Sequence, residues 1–211
     1  MLTIYGADFS FPVNKVRFTA NKLGIDYQYK QVNLLEKEGQ APEYLALHPA
    51  GKIPAIKDGE FSLFESNAIC KYLVKKENSD LYPNKLEAEA RVDQWMDFTS
   101  FHLGNAIGKV TFNRVFAPRF NMEVNEASIA EGEEFLARFL PVVEAQIKTT
   151  GNLAGKDFSL ADISLLATLD PVEVAEVSLT DYPSVAAWRD KLKKEKFYTD
   201  CYADFREVLQ N

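Results

Sequence analysis

The stretch Gly51-Lys52-Ile53-Pro54-Ala55-Ile56-Lys57-Asp58-Gly59-Glu60-Phe61-Ser62-Leu63-Phe64-Glu65-Ser66 decides the fold. Asp58-Gly59 between two apolar runs is a strong hairpin signal. Pro54 stands in the first of those runs, where proline cannot donate to the ladder and so marks an edge, a bulge or a special turn. A cis Ile53-Pro54 bond would turn the Ile53 N–H and C=O outward, free to pair with an extended peptide. Immediately after the hairpin, Glu65-Ser66-Asn67-Ala68-Ile69 reads as a helix entry, whose first N–H groups lack intrahelical partners and suit a carboxylate. The stretch therefore reads as a peptide-binding device with an anion site at one end.

Outward from it, the first eighty residues alternate strand and helix patterns. Leu2 to Tyr5 reads as a strand, and Val13 to Leu23 as a helix stopped by Gly24. Tyr27 to Leu34 reads as a second strand, Pro42 to Leu47 as a short helical turn, and Ser66 to Lys75 as a helix. Residues 78–86 are polar, contain Pro83 and read as a linker between a first domain of residues 1–77 and a second of 87–211. In the second, Glu87 to Phe116 and Val124 to Thr149 read as long helices, the latter bent at Pro141. Ser159-Leu160-Ala161-Asp162 is a capping box with Asp in place of Glu. Val185 to Lys194 and Tyr198 to Leu209 complete an all-helical half.

Composition excludes several classes. The 211 residues carry a formal net charge of −7, which suits neither a nucleic-acid surface nor anionic lipid. No apolar run reaches membrane-spanning length. Met1 leads straight into a strand with no basic-apolar leader, and the two cysteines form no CxxC pair, so a reducing cytoplasm is expected. His48 and His102 have no partners at ligand spacing, so no metal is expected.

The hairpin, the Glu65-Ser66 pair and Tyr5-Gly6-Ala7-Asp8-Phe9-Ser10 together resemble the cytosolic glutathione transferase family, in its serine-type phi, theta and delta classes. The resemblance implies an α/β thioredoxin-like N-terminal domain followed by an all-α C-terminal domain. It implies glutathione as co-substrate, a small-molecule electrophile as its partner and a homodimer. It places Ser10 at the catalytic position and Ile53, Pro54, Glu65 and Ser66 against the tripeptide. Lys52 falls where members place a polar side chain, and Gly39-Gln40 where phi members carry basic residues for the glycyl carboxylate.

Ser10 alone reads as an ordinary helix cap; the Ile53-Pro54 and Glu65-Ser66 context turns it into a thiolate-stabilising hydroxyl. A free thiol ionises near pH 8.5, so a transferase must favour the thiolate. A nearby hydroxyl donor and a helix N-terminus do this without a formal charge. Tyr5 is the second candidate, because other classes use a tyrosine at the end of the first strand. Phe9, Phe11, Pro12 and Phe101 could wall an apolar pocket for the electrophile, although core packing is the competing fate of Phe101. Cys70 reads as core. The same motifs also resemble the glutathione-transferase-like domain of the translation elongation factor gamma subunit, an interaction module. Retained Ser10, and no sign of a further domain in the sequence, favour catalysis.

Overall fold

The computed structural model describes residues 1–209. Its contacts divide into two compact units, Met1–Tyr82 with the segment from Glu195, and Pro83–Lys194.

In the first unit, β1 (Leu2–Gly6), β2 (Tyr27–Gln31), β3 (Ala55–Asp58) and β4 (Phe61–Phe64) form one sheet in the order β2-β1-β3-β4. β1 runs parallel to β2 and antiparallel to β3, which pairs antiparallel with β4. The parallel pair needs a crossover, supplied by α1 (Phe11–Lys22). α3 (Ser66–Lys76) packs against α1. Two-residue alternation sorts the side chains. Leu2, Ile4 and Ile56 are fully or almost fully buried, as are Val13, Val16, Ile69 and Leu73 of the helices. Ala55, with Val32 and Tyr44, makes a second small cluster against which Tyr5 and Ile53 pack. Tyr44 belongs to α2 (Pro42–Leu45).

β2 stops at Gln31 rather than Leu34, because the chain turns at Asn33, whose Oδ1 accepts from the Leu35 and Glu36 amides. β3 begins at Ala55, so Ile53 and Pro54 lie in the loop before the strand rather than inside it.

The second unit holds α4 (Leu86–Phe98), α5 (Gly104–Thr111), α6 (Ala117–Arg119), α7 (Glu126–Thr150), α8 (Leu160–Thr168) and α9 (Pro183–Leu192). The expected helix from Glu87 to Phe116 is interrupted by two π-helical turns, Thr99–Leu103 and Phe112–Phe116. α7 runs through Pro141, opens on Asn125, whose side chain accepts from the Ser128 amide, and closes on Gly151 at φ 86°. It approaches α5 closely enough that a Cβ on Gly132 would lie 2.8 Å from the Ala106 carbonyl oxygen. Every residue of α8 is buried, and its capping box forms as the sequence predicts.

The C-terminal segment departs from expectation. Tyr198 to Leu209 is not one helix but the end of α10 (Lys196–Thr199) and a separate 3₁₀ turn, Phe205–Leu209. Its aromatic residues explain this: Tyr198 and Tyr202 both pack on Phe18 of α1, at 5.1 and 6.1 Å between centroids, and Tyr202 meets Phe205 at 6.1 Å. Burying all three on one unit is worth more than helical continuity. The segment from Glu195 thus joins the sheet-bearing unit, not the helical half assigned to 87–211. Gln210 and Asn211 lie outside the described residues.

Candidate active site

Strand register gathers the sequence candidates at one edge of the sheet. Tyr5 pairs with Ala55 and Ala55 with Phe64. The C-terminal end of β1, the N-terminal end of β3 and the C-terminal end of β4 therefore coincide. From these three ends the chain leaves into Ala7–Ser10, arrives from Ile53-Pro54 and enters Glu65-Ser66. Residues that are 10, 53 and 65 places along the chain share one rim.

Ser10 is the N-cap residue of α1 by backbone: its carbonyl accepts the Asn14 amide at 2.9 Å and its own amide donates to the Ala7 carbonyl at 3.0 Å. Its hydroxyl makes no capping bond. The side chain is half-buried, and no acid sits in the first turn of α1 to neutralise the positive end of the helix. The ordinary reading of Ser10 as a side-chain cap is thus not what forms; the hydroxyl is left for another acceptor.

The loop that carries it is clamped. The Asp8 carboxylate accepts from Arg17 of α1 at 2.6 Å and from Gln31 of β2 at 2.7 Å. The Asn14 side-chain amide donates to the Asp8 carbonyl at 2.7 Å. Arg17 lies over the Tyr29 ring, 4.3 Å from its centroid. Sequence reading missed this cluster; the acid two places before the candidate serine, with a base on the following helix, was the available signal.

Ile53-Pro54 is cis, and the Ile53 amide and carbonyl enter no turn or loop hydrogen bond among the described residues. The neighbouring Lys52 carbonyl is held by the Tyr44 hydroxyl at 2.6 Å. Burial pushes that hydroxyl up to about 12, so it stays protonated and donates. Lys52 itself is exposed. Gln40, also exposed, reaches this loop through two glycines. A Cβ on Gly51 (φ 63°) would lie 2.3 Å from Gln40 Nε2, and one on Gly39 would lie 2.5 Å from the Gly51 carbonyl oxygen. Bare backbone at both positions is what seats Gln40 beside Lys52.

Glu65 is the N-cap residue of α3 and sits at φ 71°, ψ 109°, a conformation non-glycine residues rarely hold. Such backbone strain, of order 1–3 kcal/mol, concentrates at binding sites. Ser66 is the first helical residue, half-buried, and no acid lies in its turn. The Ile69 amide bonds to the Glu65 carbonyl at 2.9 Å and closes the first turn of the helix, whose earlier amides have no carbonyl one turn back to bond. Lys15 of α1 reaches the same turn, donating to Asn67 Oδ1 at 2.5 Å. His48 is buried and packs at a tilt on Phe64, 4.6 Å between centroids, and its burial lowers its pKa.

Phe9, Phe11 and Pro12 flank Ser10 and are half-buried. Phe101 belongs to the helical unit, is 66% exposed and borders a cavity of about 400 Å³ with Phe135, Phe139 and Arg138. Tyr5 packs edge-to-face on Tyr44 at 6.1 Å, within the small cluster under the sheet. Cys70 is fully buried. Among the described residues no group of three or more His, Cys, Asp or Glu is arranged to hold a metal, and no helix is long and apolar enough to cross a membrane.

Known proteins match along the whole chain. The family described as glutathione S-transferase, N-terminal domain, matches residues 1–75, and glutathione S-transferase, C-terminal domain, matches residues 95–195. Glutathione S-transferase F10 of Arabidopsis thaliana is 36% identical over 97% of this chain and 98% of its own. Glutathione S-transferase 1 of Zea mays is 32% identical over 89% of each. The crystal structure of glutathione transferase F7 from Populus trichocarpa superposes with a TM-score of 0.89 at 27% identity, covering 99% of both chains. Glutathione S-transferase I from maize, in complex with an atrazine glutathione conjugate, gives 0.88 at 28% identity over 99% of this chain and 98% of its own.

Proposed function

The chain belongs to the glutathione S-transferase family, and we propose that its chemistry runs on Ser10 with the tripeptide stretched between Gln40 and Ser66. It is a transferase that conjugates glutathione. The observation that carries the residue assignment is the shared rim: the uncommitted Ser10 hydroxyl, the open Ile53 backbone and the first-turn amides at Ser66 lie at one sheet edge.

In this reading the γ-glutamyl end docks at Glu65 and Ser66. The carboxyl group takes the amides at the start of α3 together with the Ser66 hydroxyl, and the Glu65 carboxylate takes the ammonium. The cysteinyl backbone pairs with Ile53 beside Pro54, as an added strand would. Lys52 and Gln40 meet the glycyl carboxylate, Gln40 as a neutral donor. The sulfur then falls at Ser10, where the hydroxyl donates to it and the N-terminus of α1 adds a positive potential. The thiolate attacks the electrophilic carbon; the C–S bond forms as the leaving group departs with the bonding pair, or as that pair shifts within an acceptor double bond. Phe9, Phe11 and Pro12, beside Ser10, supply apolar surface for a small apolar electrophile. A homodimer and a cytoplasmic location follow the pattern expected of the family. The interaction-module reading is not favoured, because the curated relatives carry transferase names and Ser10 is present. Retention on immobilised glutathione, with conjugation of a generic aryl halide, tests the activity; neither binding nor turnover would refute it.

Glu65 and Ser66 are remote from the sulfur, so their contacts are equal in ground and transition states. Ser66→Ala is expected to weaken glutathione by about 1–3 kcal/mol, raising its KM while leaving kcat nearly intact. Steady-state rates at varied glutathione concentration check this. A fall in kcat with unchanged KM would place the γ-glutamyl end elsewhere.

A further inference from the structure

We infer that Asp8 is a positioning residue for the reaction: it fixes the Ser10 hydroxyl by clamping the Ala7–Ser10 loop to both α1 and β2. This rests on Ser10 being the sulfur's hydrogen-bond donor. Three bonds converge on one loop residue from three places in the sequence: Arg17 and Gln31 to the carboxylate, Asn14 to the carbonyl. Arg17 is itself fixed, 8% exposed and seated over Tyr29. Tyr29 is held neutral by burial, with Asp8's own charge adding to the upward shift. Tyr27 and Cys201 also act on Arg17. Asp8 is thus the point at which the fold's rigid parts take hold of the catalytic loop. Ser10 follows two residues later, with its amide bonded back to Ala7.

Two physical effects of removing Asp8 have opposite signs. Loss of a negative charge beside a thiolate site would by itself favour the thiolate and lower the thiol pKa. Loosening the Ser10 hydroxyl removes a donor from the sulfur and raises it. Positioning therefore predicts a rise, which charge alone cannot give. Gln31→Ala removes one clamp bond with no change of charge and should move the pKa the same way, by less.

The experiment is an ultraviolet difference titration of bound glutathione in the wild type, Asp8→Ala, Gln31→Ala, Ser10→Ala and the Asp8→Ala/Ser10→Ala double variant. Glutathione KM and melting temperature are measured on each. The expected results are a rise of about one pKa unit in Asp8→Ala, with KM for glutathione little changed. The double variant should titrate at or below Ser10→Ala alone, because without the hydroxyl only the charge effect of losing Asp8 remains. A lowered or unmoved pKa in Asp8→Ala, or a double variant shifted by the sum of both singles, overturns the inference while leaving Ser10 in place. A silent Ser10→Ala overturns both. Should Asp8→Ala fail to fold, the Gln31→Ala titration decides, an unmoved pKa counting against the clamp.

Discussion

Replacing Ser10 by alanine is expected to cost about 10²-fold in turnover near pH 6.5, the loss usual for one donor to a developing or resident anion. Glutathione should still bind. The cause is ionisation: without the hydroxyl, the bound thiol returns towards its free pKa of about 8.5. A thiol pKa lowered by about two units corresponds to roughly 2.7 kcal/mol of preference for the thiolate. Its loss matters most where the wild type is ionised and the variant is not. The deficit should accordingly shrink as the pH rises through 8.5, when the variant's thiol ionises unaided. The pH–rate profiles of both proteins against one electrophile measure this. A deficit constant from pH 6 to 9 would mean that Ser10 does something other than favour the thiolate. Tyr5 is the alternative donor, and its place in the Tyr44 cluster stands against it.

The second large effect concerns the helical unit. Asp162 is fully buried and accepts from the Leu153 amide at 2.7 Å, the Ser159 amide at 2.9 Å and the Ser159 hydroxyl at 3.0 Å. It therefore joins the loop before α8 to a helix whose every residue is buried. Asp162→Ala strands two buried amides at once, at about 1–3 kcal/mol each. A loss of about 3 kcal/mol is expected, near 10 °C in melting temperature for a chain of this size. Burial raises the carboxyl to about 6 against the pull of its three donors. The folded pKa thus lies above the unfolded value of about 3.9. The group's stabilisation is greatest below pH 4 and declines as the pH rises through 6. The gap between wild type and variant should be wider at pH 4.5 than at pH 7.5. Thermal unfolding at the two pH values checks the sign; an equal or wider gap at pH 7.5 would show that the hydrogen bonds, and not burial, set the Asp162 pKa.

Much of this was legible in the sequence, for local reasons. The Asp58-Gly59 hairpin, the Ile53-Pro54 cis bond and the Ser159–Asp162 capping box are each specified by residues within a few places of one another, and the structure holds all three. The rim that unites Ser10, Ile53 and Ser66 could be expected from the family resemblance, while the strand register is what brings it about. Long-range packing was not legible. The π-helical turns at Thr99–Leu103 and Phe112–Phe116 sit in stretches whose local pattern is helical throughout. The C-terminal segment yields its helix to aromatic packing on Phe18, some 180 residues earlier in the chain. Of the Asp8 clamp, only the Asp8–Arg17 pair had a local signal; Gln31 reaches Asp8 through the parallel pairing of β1 and β2, which no spacing rule foretells.

The most direct test of the account is a crystal structure with glutathione bound. The sulfur should lie within hydrogen-bond distance of Ser10 Oγ, about 3 Å, with the cysteinyl backbone paired with Ile53 and the γ-glutamyl carboxylate on the Ser66 amide. A tripeptide whose sulfur lies away from Ser10, or whose γ-glutamyl end lies away from α3, would contradict it.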